Sequence, residues 1–285
     1  MILITGATGR VGGATLRQLT NRGLAVRALV RSSEKAALVA SPLVETVIGD
    51  LAQPRSLEAA LDGVTAALLV SPLDPRQVEL QGNFIDAARR AGRVHVVKIS
   101  GLGTALGSPV RSGHWHAQTE TYLADSGLPF THLRPPFFMQ NILRFAPAIR
   151  ANGAFVGSLK QGKVAMIDVD DIAAVAATAL TTSAHAGKAY ALTGPEALSY
   201  PDVAERLSRV LGRTVVYQDV PLETMRQRLL ASGMPVWHVD VQVDFSTALS
   251  AGHAAIVTNT VEAVTGTPAR TFEQFIREHV ELFRR

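Results

Sequence analysis

Three glycines near the start of the chain have a spacing that suits contact with phosphate groups. They lie in the segment TGATGRVG, residues 5–12, between a short apolar run at 2–4 and a helical pattern. Glycine at these positions permits a tight turn, close approach of a pyrophosphate, and close packing of helix on strand. The helix N-terminus adds free N–H groups and a partial positive charge. This order favours a dinucleotide site over a glycine-rich turn without a ligand. The predicted contacts are Gly6, Thr8, Gly9, Arg10, Val11 and Gly12.

Two basic residues follow the second predicted strand, where a dinucleotide fold places the adenosine ribose. Folds that select NAD carry an acidic residue there for the 2′-hydroxyl, whereas this chain has Arg31 and Lys35 within VRSSEK, residues 30–35. Two cations can bind a 2′-phosphate, and the serine hydroxyls between them can add hydrogen bonds. Glu34 lies past the strand end and is expected to cap the next helix. The segment predicts NADPH rather than NADH, and the alternative for Arg31 is a solvated surface charge.

Further polar or turn-forming residues end the other predicted strands, at the sheet edge that binds ligands in such folds. Asp50 and Leu51 end the third strand; the Asp50 carboxylate accepts either from an adenine amino group or from the helix that opens at Pro54. Ser100 ends the fifth strand and either binds the nicotinamide ribose or substrate, or is a satisfied loop hydroxyl. Lys98 either reaches the ribose or extends to solvent at the sheet surface. The remaining predicted cofactor contacts are Ser71, Pro72 and Pro136.

Strands and helices alternate along the first half of the chain. The apolar runs that predict strands are 2–4, 25–30, 44–48, 65–70, 94–99 and 129–133. Such alternation predicts an α/β fold of the Rossmann type, with a doubly wound, right-handed parallel sheet. After residue 141 the pattern loosens into a smaller, mixed and mostly helical lobe, in which strands are predicted at 189–192 and 215–217. The prediction is an NADP-binding domain at 1–150 and a substrate-binding lobe at 151–285, packed on it and with elements that return to the sheet.

The composition excludes several classes of protein. A hydrophobic fraction of 47% with only 18% charged residues excludes a disordered chain of 285 residues. The absence of cysteine excludes disulfide scaffolds, thiolate zinc sites, Fe–S clusters and cysteine nucleophiles. A net charge of +4 without clustered basic residues disfavours nucleic acid and suits an anionic small ligand. No apolar run is long enough to span a membrane, and no leader peptide is apparent at 1–5, so a cytoplasmic location is expected.

The chain resembles the NmrA-like group of atypical short-chain dehydrogenases/reductases over nearly its whole length. The segments that carry the resemblance are TGATG at 5–9 with Gly12, Arg31 with Lys35, GD at 49–50, HAQTE at 116–120, SGLPFT at 126–131, LRP at 133–135, DVDDIA at 168–173 and LTGPE at 192–196. The resemblance implies a Rossmann fold and NADP(H) as cofactor. Members include NADPH-dependent quinone, azo-dye and triphenylmethane-dye reductases, and also redox sensors that bind the dinucleotide without turnover.

The usual catalytic pair of short-chain dehydrogenases is missing. These enzymes carry Tyr-x-x-x-Lys on the helix after the fifth strand, with the lysine four residues before a glutamate. If that glutamate is Glu120, then His116 stands at the lysine position and Ser112 at the tyrosine position, and Tyr122 is expected to face elsewhere. A positioned proton donor accelerates ketone reduction by about 100-fold or more. A quinone, a cationic dye or an azo bond between arenes accepts hydride more readily without one, so the missing tyrosine favours conjugated acceptors.

His116 is the candidate catalytic residue. Its imidazole can donate a proton near neutral pH; alternatively it pairs with Glu120 on one face of the helix. A metal site formed by His114, His116 and His132 is not expected, because alternate residues of a helix diverge and no carboxylate cluster joins them.

Apolar residues after the sixth strand are candidates for the acceptor pocket. Aromatic side chains there can stack on nicotinamide and wall a substrate site, although core packing between sheet and lobe is an equal alternative for the two phenylalanines. The predicted substrate residues are Phe137, Phe138, Asn141 and Trp115, with Met139 and Trp237 as weaker candidates. Asp168, Asp170 and Asp171 precede an apolar helix and are expected to be N-terminal caps.

Taken together, the residues and the resemblance predict an NADPH-dependent oxidoreductase that passes hydride to a conjugated, apolar small molecule such as a quinone or dye. The first alternative is a non-catalytic NADP(H) sensor with a protein partner. A second is a biosynthetic ketone reductase or isomerase, which needs an acid that only His116 or Ser112 could supply. No metal, nucleic acid or membrane partner is expected.

Overall fold

The computed structural model describes residues 1–284, and its strands agree closely with the apolar runs of the sequence. The strands are β1 (Ile2–Ile4), β2 (Val26–Val30), β3 (Val44–Ile48), β4 (Ala66–Leu69), β5 (His95–Ile99), β6 (Phe130–Arg134), β7 (Ala154–Gly157), β8 (Lys188–Ala191) and β9 (Val216–Asp219). Seven of them form one parallel sheet in the order β3-β2-β1-β4-β5-β6-β8. The predicted doubly wound parallel sheet is therefore confirmed.

Helices connect the strands and cover both faces of the sheet. They are α1 (Arg10–Asn21), α2 (Ser33–Ala37), α3 (Ser56–Leu61), α4 (Gln77–Ala91), α5 (Arg111–Asp125), α6 (Ala146–Asn152), α7 (Val169–Thr181), α8 (Tyr200–Leu211), α9 (Leu222–Ala231), α10 (Val236–Ser250), α11 (Thr260–Thr265), α12 (Phe272–Glu278) and α13 (Val280–Phe283). Short 3-10 helices occupy Met139–Phe145 and Ser183–His185. In the part of the chain that the structure describes, no helix is both long and apolar enough to cross a bilayer.

The alternation of side chains along each strand divides the core into two layers. Ile4 and Val97 face α1 and α7, while their neighbours Leu3 and Val96 face α3 and α4. Successive side chains of a strand point to opposite faces, so a strand covered on both sides is apolar at most positions; in β5 the buried Lys98 is the exception. This explains why β4 and most of β5 are buried along their length.

The sheet reverses its winding direction between β1 and β4. The chain moves outward through β2 and β3, then returns to the other side of β1 for β4, β5 and β6. The Thr5 hydroxyl donates to the Val70 carbonyl and accepts from the Val70 N–H, both at 2.8 Å. Ligands of such sheets bind outside the carboxyl ends of the strands at this reversal, which is where the glycine loop lies.

The second half of the chain divides between the sheet and a separate lobe. β8 pairs with β6, and α7 packs against α1 in the sheet core. The strand predicted at 215–217 is β9, which pairs with β7 in a two-stranded sheet instead of the main one. A second core fills the space between these strands and the helices α6, α8, α12 and α13. The division at residue 150 stays a prediction.

One predicted cap is wrong. The hydroxyl of Ser32 accepts from the Lys35 N–H at the start of α2, at 3.4 Å. Glu34 instead lies within the first turn of that helix, so its carboxylate is not the residue that begins it. A serine at the strand end offers the shorter side chain, and short oxygen-bearing side chains are the preferred N-caps.

Candidate functional site

The glycine loop has a backbone shape that side chains would obstruct. Gly6 has φ +59°, and a Cβ on Gly12 would lie only 2.2 Å from the Gly6 carbonyl oxygen. Among the described residues, no side chain caps the N-terminus of α1, and its first turn contains no acidic residue. The free N–H groups and the close approach of loop to helix fit the pyrophosphate of a dinucleotide.

Arg10 connects this loop to the segment that follows β6. Its Nη1 donates to Oδ1 of Asn141 at 2.8 Å, across 131 residues of sequence. A predicted cofactor residue and a predicted substrate residue therefore share one hydrogen bond, at the mouth of the crevice.

The two cations after β2 are exposed. Neither Arg31 nor Lys35 forms an ion pair within residues 1–284. Both charges are thus free to bind an anionic group at the end of β2, as a 2′-phosphate requires.

Asp50 organises its own turn. One of its carboxylate oxygens accepts from the Ala52 N–H at 2.9 Å, and the Ser56 hydroxyl accepts from the Asp50 N–H at 2.9 Å. The helix α3 begins later and has no side-chain cap, so the expectation that Asp50 caps it is wrong. The neighbouring Leu51 presents its carbonyl to the Asn83 amide at 2.9 Å. An adenine contact of Asp50 stays a prediction.

The ends of β4 and β5 carry the next predicted contacts. The Ser71 hydroxyl accepts from the amide of Gln81, a buried side chain of α4, at 2.8 Å, and Pro72 follows it at the surface. Ser100 is buried, and its hydroxyl lies 3.4 Å from the Thr104 hydroxyl. Both serines already have protein partners, which agrees with the satisfied-hydroxyl alternative for Ser100.

Lys98 is fully buried, with 0% of its surface exposed. The expectation that it extends to solvent is therefore wrong. Its Nζ donates to the Ile99 carbonyl at 3.3 Å and lies 2.9 Å from Nδ1 of His116. Burial lowers the pKa of Lys98 to about 7, although the nearby Glu120 carboxylate favours the charged form.

His116 is half-buried, lies within hydrogen-bond distance of Lys98 and does not pair with Glu120. Its Nδ1 lies 3.0 Å from Nε2 of Gln77 as well as near Lys98. Burial, together with the Lys98 charge, holds the pKa of His116 well below its usual value. The alternative of a simple helix-face pair with Glu120 is thus wrong, because that carboxylate has another partner.

That partner is Arg134 at the end of β6. Its guanidinium binds the Glu120 carboxylate through two nitrogens, one of them at 3.0 Å. Burial opposes the ionisation of Glu120, but hydrogen bonds from Arg134 and Ser100 outweigh it and lower the pKa. The pair fixes α5 to β6, and both of its charges lie near Lys98.

The other residues of α5 are placed as follows. Ser112 is buried, and the Tyr122 hydroxyl donates to Asp86 at 2.7 Å on the surface, as expected of a residue that faces elsewhere. Trp115 is half-buried, and His114 accepts at Nδ1 from the Gly107 N–H. Within residues 1–284, no group of three or more His, Cys, Asp or Glu side chains is arranged to hold a metal ion.

The predicted acceptor wall is only partly consistent with the structure. Pro136, Phe137, Phe138 and Asn141 are half-buried along the segment after β6. Phe138 packs against the sheet core and Phe137 against the lobe core, which agrees with the packing alternative while leaving part of each ring accessible. Met139 is 1% exposed and is therefore a core residue, not a wall.

Trp237 lies on α10, away from this segment in sequence, and its ring is stacked on the His238 ring at 5.0 Å. Like Trp115 it is half-buried. Neither residue makes a contact that decides its role in an acceptor site.

The aspartates of the DVDDIA segment differ in role. Asp168 caps α7 by accepting from the Asp170 N–H at 3.0 Å, as predicted. Asp170 and Asp171 lie inside the first turn instead of before it, and both bind Arg270. Burial raises the pKa of Asp171 to about 6. They join α7 to the C-terminal segment.

Residues that the sequence analysis missed are the two glutamines of α4. Gln77 and Gln81 are both buried, one helical turn apart, and reach His116 and Ser71 respectively. The sequence pattern that could have indicated them is their i, i+4 spacing on an otherwise apolar helix face. Buried polar side chains need hydrogen-bond partners, so such a pair predicts polar contacts inside the protein.

Comparison with known proteins gives consistent results. The family model of the NmrA-like family matches residues 1–275. The chain is 42% identical over 283 residues to an NAD(P)H azoreductase of Xenophilus azovorans, with 99% of each chain covered.

Two solved structures are similar over nearly their full length. The NADPH-dependent quinone oxidoreductase of Escherichia coli in complex with NADPH has a TM-score of 0.90 and 31% identity, with 99% of this chain and 100% of the other covered. The triphenylmethane reductase of a Citrobacter species, complexed with NADP(H), has a TM-score of 0.88 and 29% identity, with 98% and 99% covered.

Proposed function

Because this chain belongs to the NmrA-like family, we propose that it is an NADPH-dependent oxidoreductase that transfers hydride to a conjugated, apolar acceptor such as a quinone or a dye. The observation that carries the proposal is the 42% identity, over 99% of both chains, to an NAD(P)H azoreductase. The quinone oxidoreductase and the triphenylmethane reductase, which share the whole fold, support the same class of acceptor.

The residues at the sheet reversal fit the cofactor. NADPH supplies the hydride when bound. The N–H groups at the start of α1 bind its pyrophosphate, and the glycines keep the backbone accessible. Arg31 and Lys35 bind the 2′-phosphate, which selects NADPH over NADH. The remaining cofactor contacts proposed from the sequence lie at the ends of the strands along the same edge.

The acceptor binds beside the segment that follows β6. Partly accessible rings of Phe137 and Phe138 provide an apolar surface for a flat, conjugated molecule, and Asn141 adds a polar group at its edge. Trp115, half-buried on α5, is the fourth residue that we propose for the acceptor site. The protein acts mainly by holding hydride donor and acceptor face to face, which removes much of the entropic barrier.

The decisive experiment mixes the protein with NADPH and a panel of quinones, azo dyes, cationic triphenylmethane dyes and simple ketones. Cofactor fluorescence reports binding, and absorbance at the NADPH band reports consumption. We expect binding together with rapid consumption by quinones and dyes and little by ketones. Binding without consumption by any acceptor would refute the proposal in favour of a redox sensor. Rapid reduction of ketones would favour a biosynthetic reductase.

Two further expectations rest on the sequence and belong to the proposal. The partner is a small molecule and not a nucleic acid, since the net charge of +4 is small for a chain of 285 residues. A cytoplasmic location suits an enzyme that draws on NADPH and contains no cysteine.

A further inference from the structure

The fully buried Lys98 and the half-buried His116 form a hydrogen-bonded pair whose orientation is defined by a third residue. The Lys98 side chain is completely enclosed, and its Nζ lies 2.9 Å from Nδ1 of His116. The amide Nε2 of Gln77 approaches the same ring nitrogen at 3.0 Å. Two side chains from β5 and α4 thus converge on one atom of an α5 histidine.

Both converging atoms are hydrogen-bond donors. The amide nitrogen of Gln77 donates only, and Lys98 in its ammonium form has no acceptor capacity. The Nδ1 atom must therefore accept, which places the ring proton of a neutral imidazole on Nε2. The low pKa of His116 that results from its burial agrees with a neutral ring.

The opposite edge of the ring faces the carboxyl end of β5. A Cβ built on Gly101 would lie 3.6 Å from Cδ2 of His116, the carbon next to Nε2. Within residues 1–284, Nε2 has no hydrogen-bond partner. An N–H donor therefore points toward the edge of the sheet where the ligands of this fold bind.

The charged and titratable groups around Lys98 leave it able to gain and lose a proton. From α5 it faces His116 and Glu120, and from β6 it faces His132 and Arg134. The α4 groups nearby are uncharged amides. Since Glu120 is engaged by Arg134, its attraction only partly offsets burial, and the pKa of Lys98 lies at about 7.

We propose that Lys98 and His116 form a proton relay for acceptors that need a proton as well as a hydride. The inference rests on the proposed function. The Nε2–H bond of His116 breaks as its proton moves to the oxygen or nitrogen of the acceptor that gains charge during hydride transfer. At the same time a proton leaves Lys98 Nζ and binds Nδ1. Lys98 becomes neutral, and His116 stays neutral in its other tautomer. A solvent proton then binds Nε2 of His116 while the Nδ1 proton returns to Lys98 Nζ, which restores the starting state of both residues. Lys98 acts through His116 and is a positioning residue.

The relay should matter for only one class of acceptor. A quinone or an azo bond acquires negative charge on oxygen or nitrogen when it takes up hydride, so a proton must follow. A cationic triphenylmethane dye is a carbocation, and hydride alone converts it to a neutral product. Comparing the reduction rates of the two classes of acceptor therefore distinguishes an effect on proton supply from an effect on hydride transfer.

The test compares wild-type protein with Lys98→Met on a quinone and on a cationic triphenylmethane dye. For the quinone we expect kcat to fall by about 100-fold, the usual contribution of a positioned proton donor. For the dye we expect less than about threefold, and NADPH affinity measured by fluorescence should not change. Tyr122→Phe, on the exposed side of α5, is the matched control and should leave both rates unchanged.

The pH profile adds a measurement that a purely structural role would not move. Wild-type kcat for the quinone should decrease as pH rises through about 7, while the rate for the dye should not follow this step. The step should be absent in Lys98→Met. Equal losses with both acceptors would show that Lys98 only supports the fold and would overturn the relay.

A readout that needs no cofactor tests the geometry itself. Nitrogen-15 NMR of the ligand-free protein should show His116 protonated at Nε2, with Nδ1 as the acceptor. Protonation at Nδ1 instead would overturn the relay. A wild-type protein that binds NADPH but reduces neither acceptor would overturn the proposed function, and with it the role of the relay in reduction.

Discussion

The two ends of the crevice use charge in opposite ways. At the end of β2, Arg31 and Lys35 are exposed cations without protein partners in the described chain. At the end of β5, Lys98 is a cation enclosed by the protein and held within a hydrogen-bonded network. Water solvates the two exposed cations, whereas burial removes Lys98 from water and penalises its charged form. The first region is suited to binding a fixed anion and the second to moving a proton.

The largest loss of NADPH affinity should come from a substitution that disrupts the backbone of the glycine loop. In Gly12→Val a side chain would collide with the Gly6 carbonyl, since even its Cβ would lie 2.2 Å away. The loop must shift, and NADPH affinity should fall by more than about 100-fold, with lower stability. Fluorescence titration and thermal unfolding measure both. Gly82→Ala, whose Cβ would meet only Tyr122 at 3.8 Å, should bind normally, and a similar loss there would contradict this account.

The lowered pKa of Lys98 should appear in the pH dependence of the free energy of unfolding. The pKa of Lys98 is about 7 in the folded protein and about 10.4 in an unfolded chain. Between these values the unfolded state binds more protons, so the contribution of Lys98 makes the free energy of unfolding rise with pH, by up to about 1.4 kcal/mol per unit.

Urea unfolding of wild-type protein and of Lys98→Met between pH 7 and pH 10 isolates this contribution. The wild-type curve should rise relative to the variant as pH increases. Parallel curves would mean that Lys98 titrates at its ordinary value despite its enclosure.

The ion pair of Glu120 and Arg134 should show how much burial increases the cost of removing one partner. Glu120→Gln leaves Arg134 without its carboxylate partner, and breaking such a buried pair is strongly destabilising. Because Arg134 is a third exposed, we expect about 2 kcal/mol in urea unfolding. Glu205→Gln, in an exposed i, i+4 pair with Arg209, should cost less than about 0.5 kcal/mol. Equal losses would erase the distinction between the two environments.

The smallest effect should come from a single exposed cation. Arg31→Ala removes one of two charges offered to the 2′-phosphate, so NADPH affinity should fall by roughly tenfold while NADH affinity stays the same. Added salt should reduce the difference. Arg150→Ala, an exposed residue of α6, is the control and should have no effect on either cofactor. A parallel loss of NADH affinity would indicate that Arg31 does not recognise the phosphate.

What the sequence could and could not predict follows the same division. The strands were predictable because a sheet covered on both faces requires continuous apolar runs, and the glycine loop because its backbone shape requires particular residues. The partners of Lys98 were not predictable. They come from α4 and α5, and a lysine on a strand has the same local pattern whether it reaches solvent or is enclosed.

Residues with several possible partners were the least predictable. Asp50 accepts from the Ala52 N–H and does not cap the helix that follows. Glu120 binds Arg134 instead of His116. Both choices depend on distances of a few ångströms between elements. The role of His116 and the acceptor wall stay predictions for that reason.

The place of β8 beside β6 has a consequence for how the molecule assembles. β8, the strand at one edge of the main sheet, is complete only when residue 191 has been synthesised. Until then one side of β6 has no strand partner while the segments between β6 and β8 emerge from the ribosome. Parallel pairing of this kind joins segments far apart in the chain, and such non-local contacts form late in folding. A fragment that ends near residue 150 would expose this edge and be prone to association. The sheet formed by the first half of the chain therefore gains its last strand, β8, only from the second half.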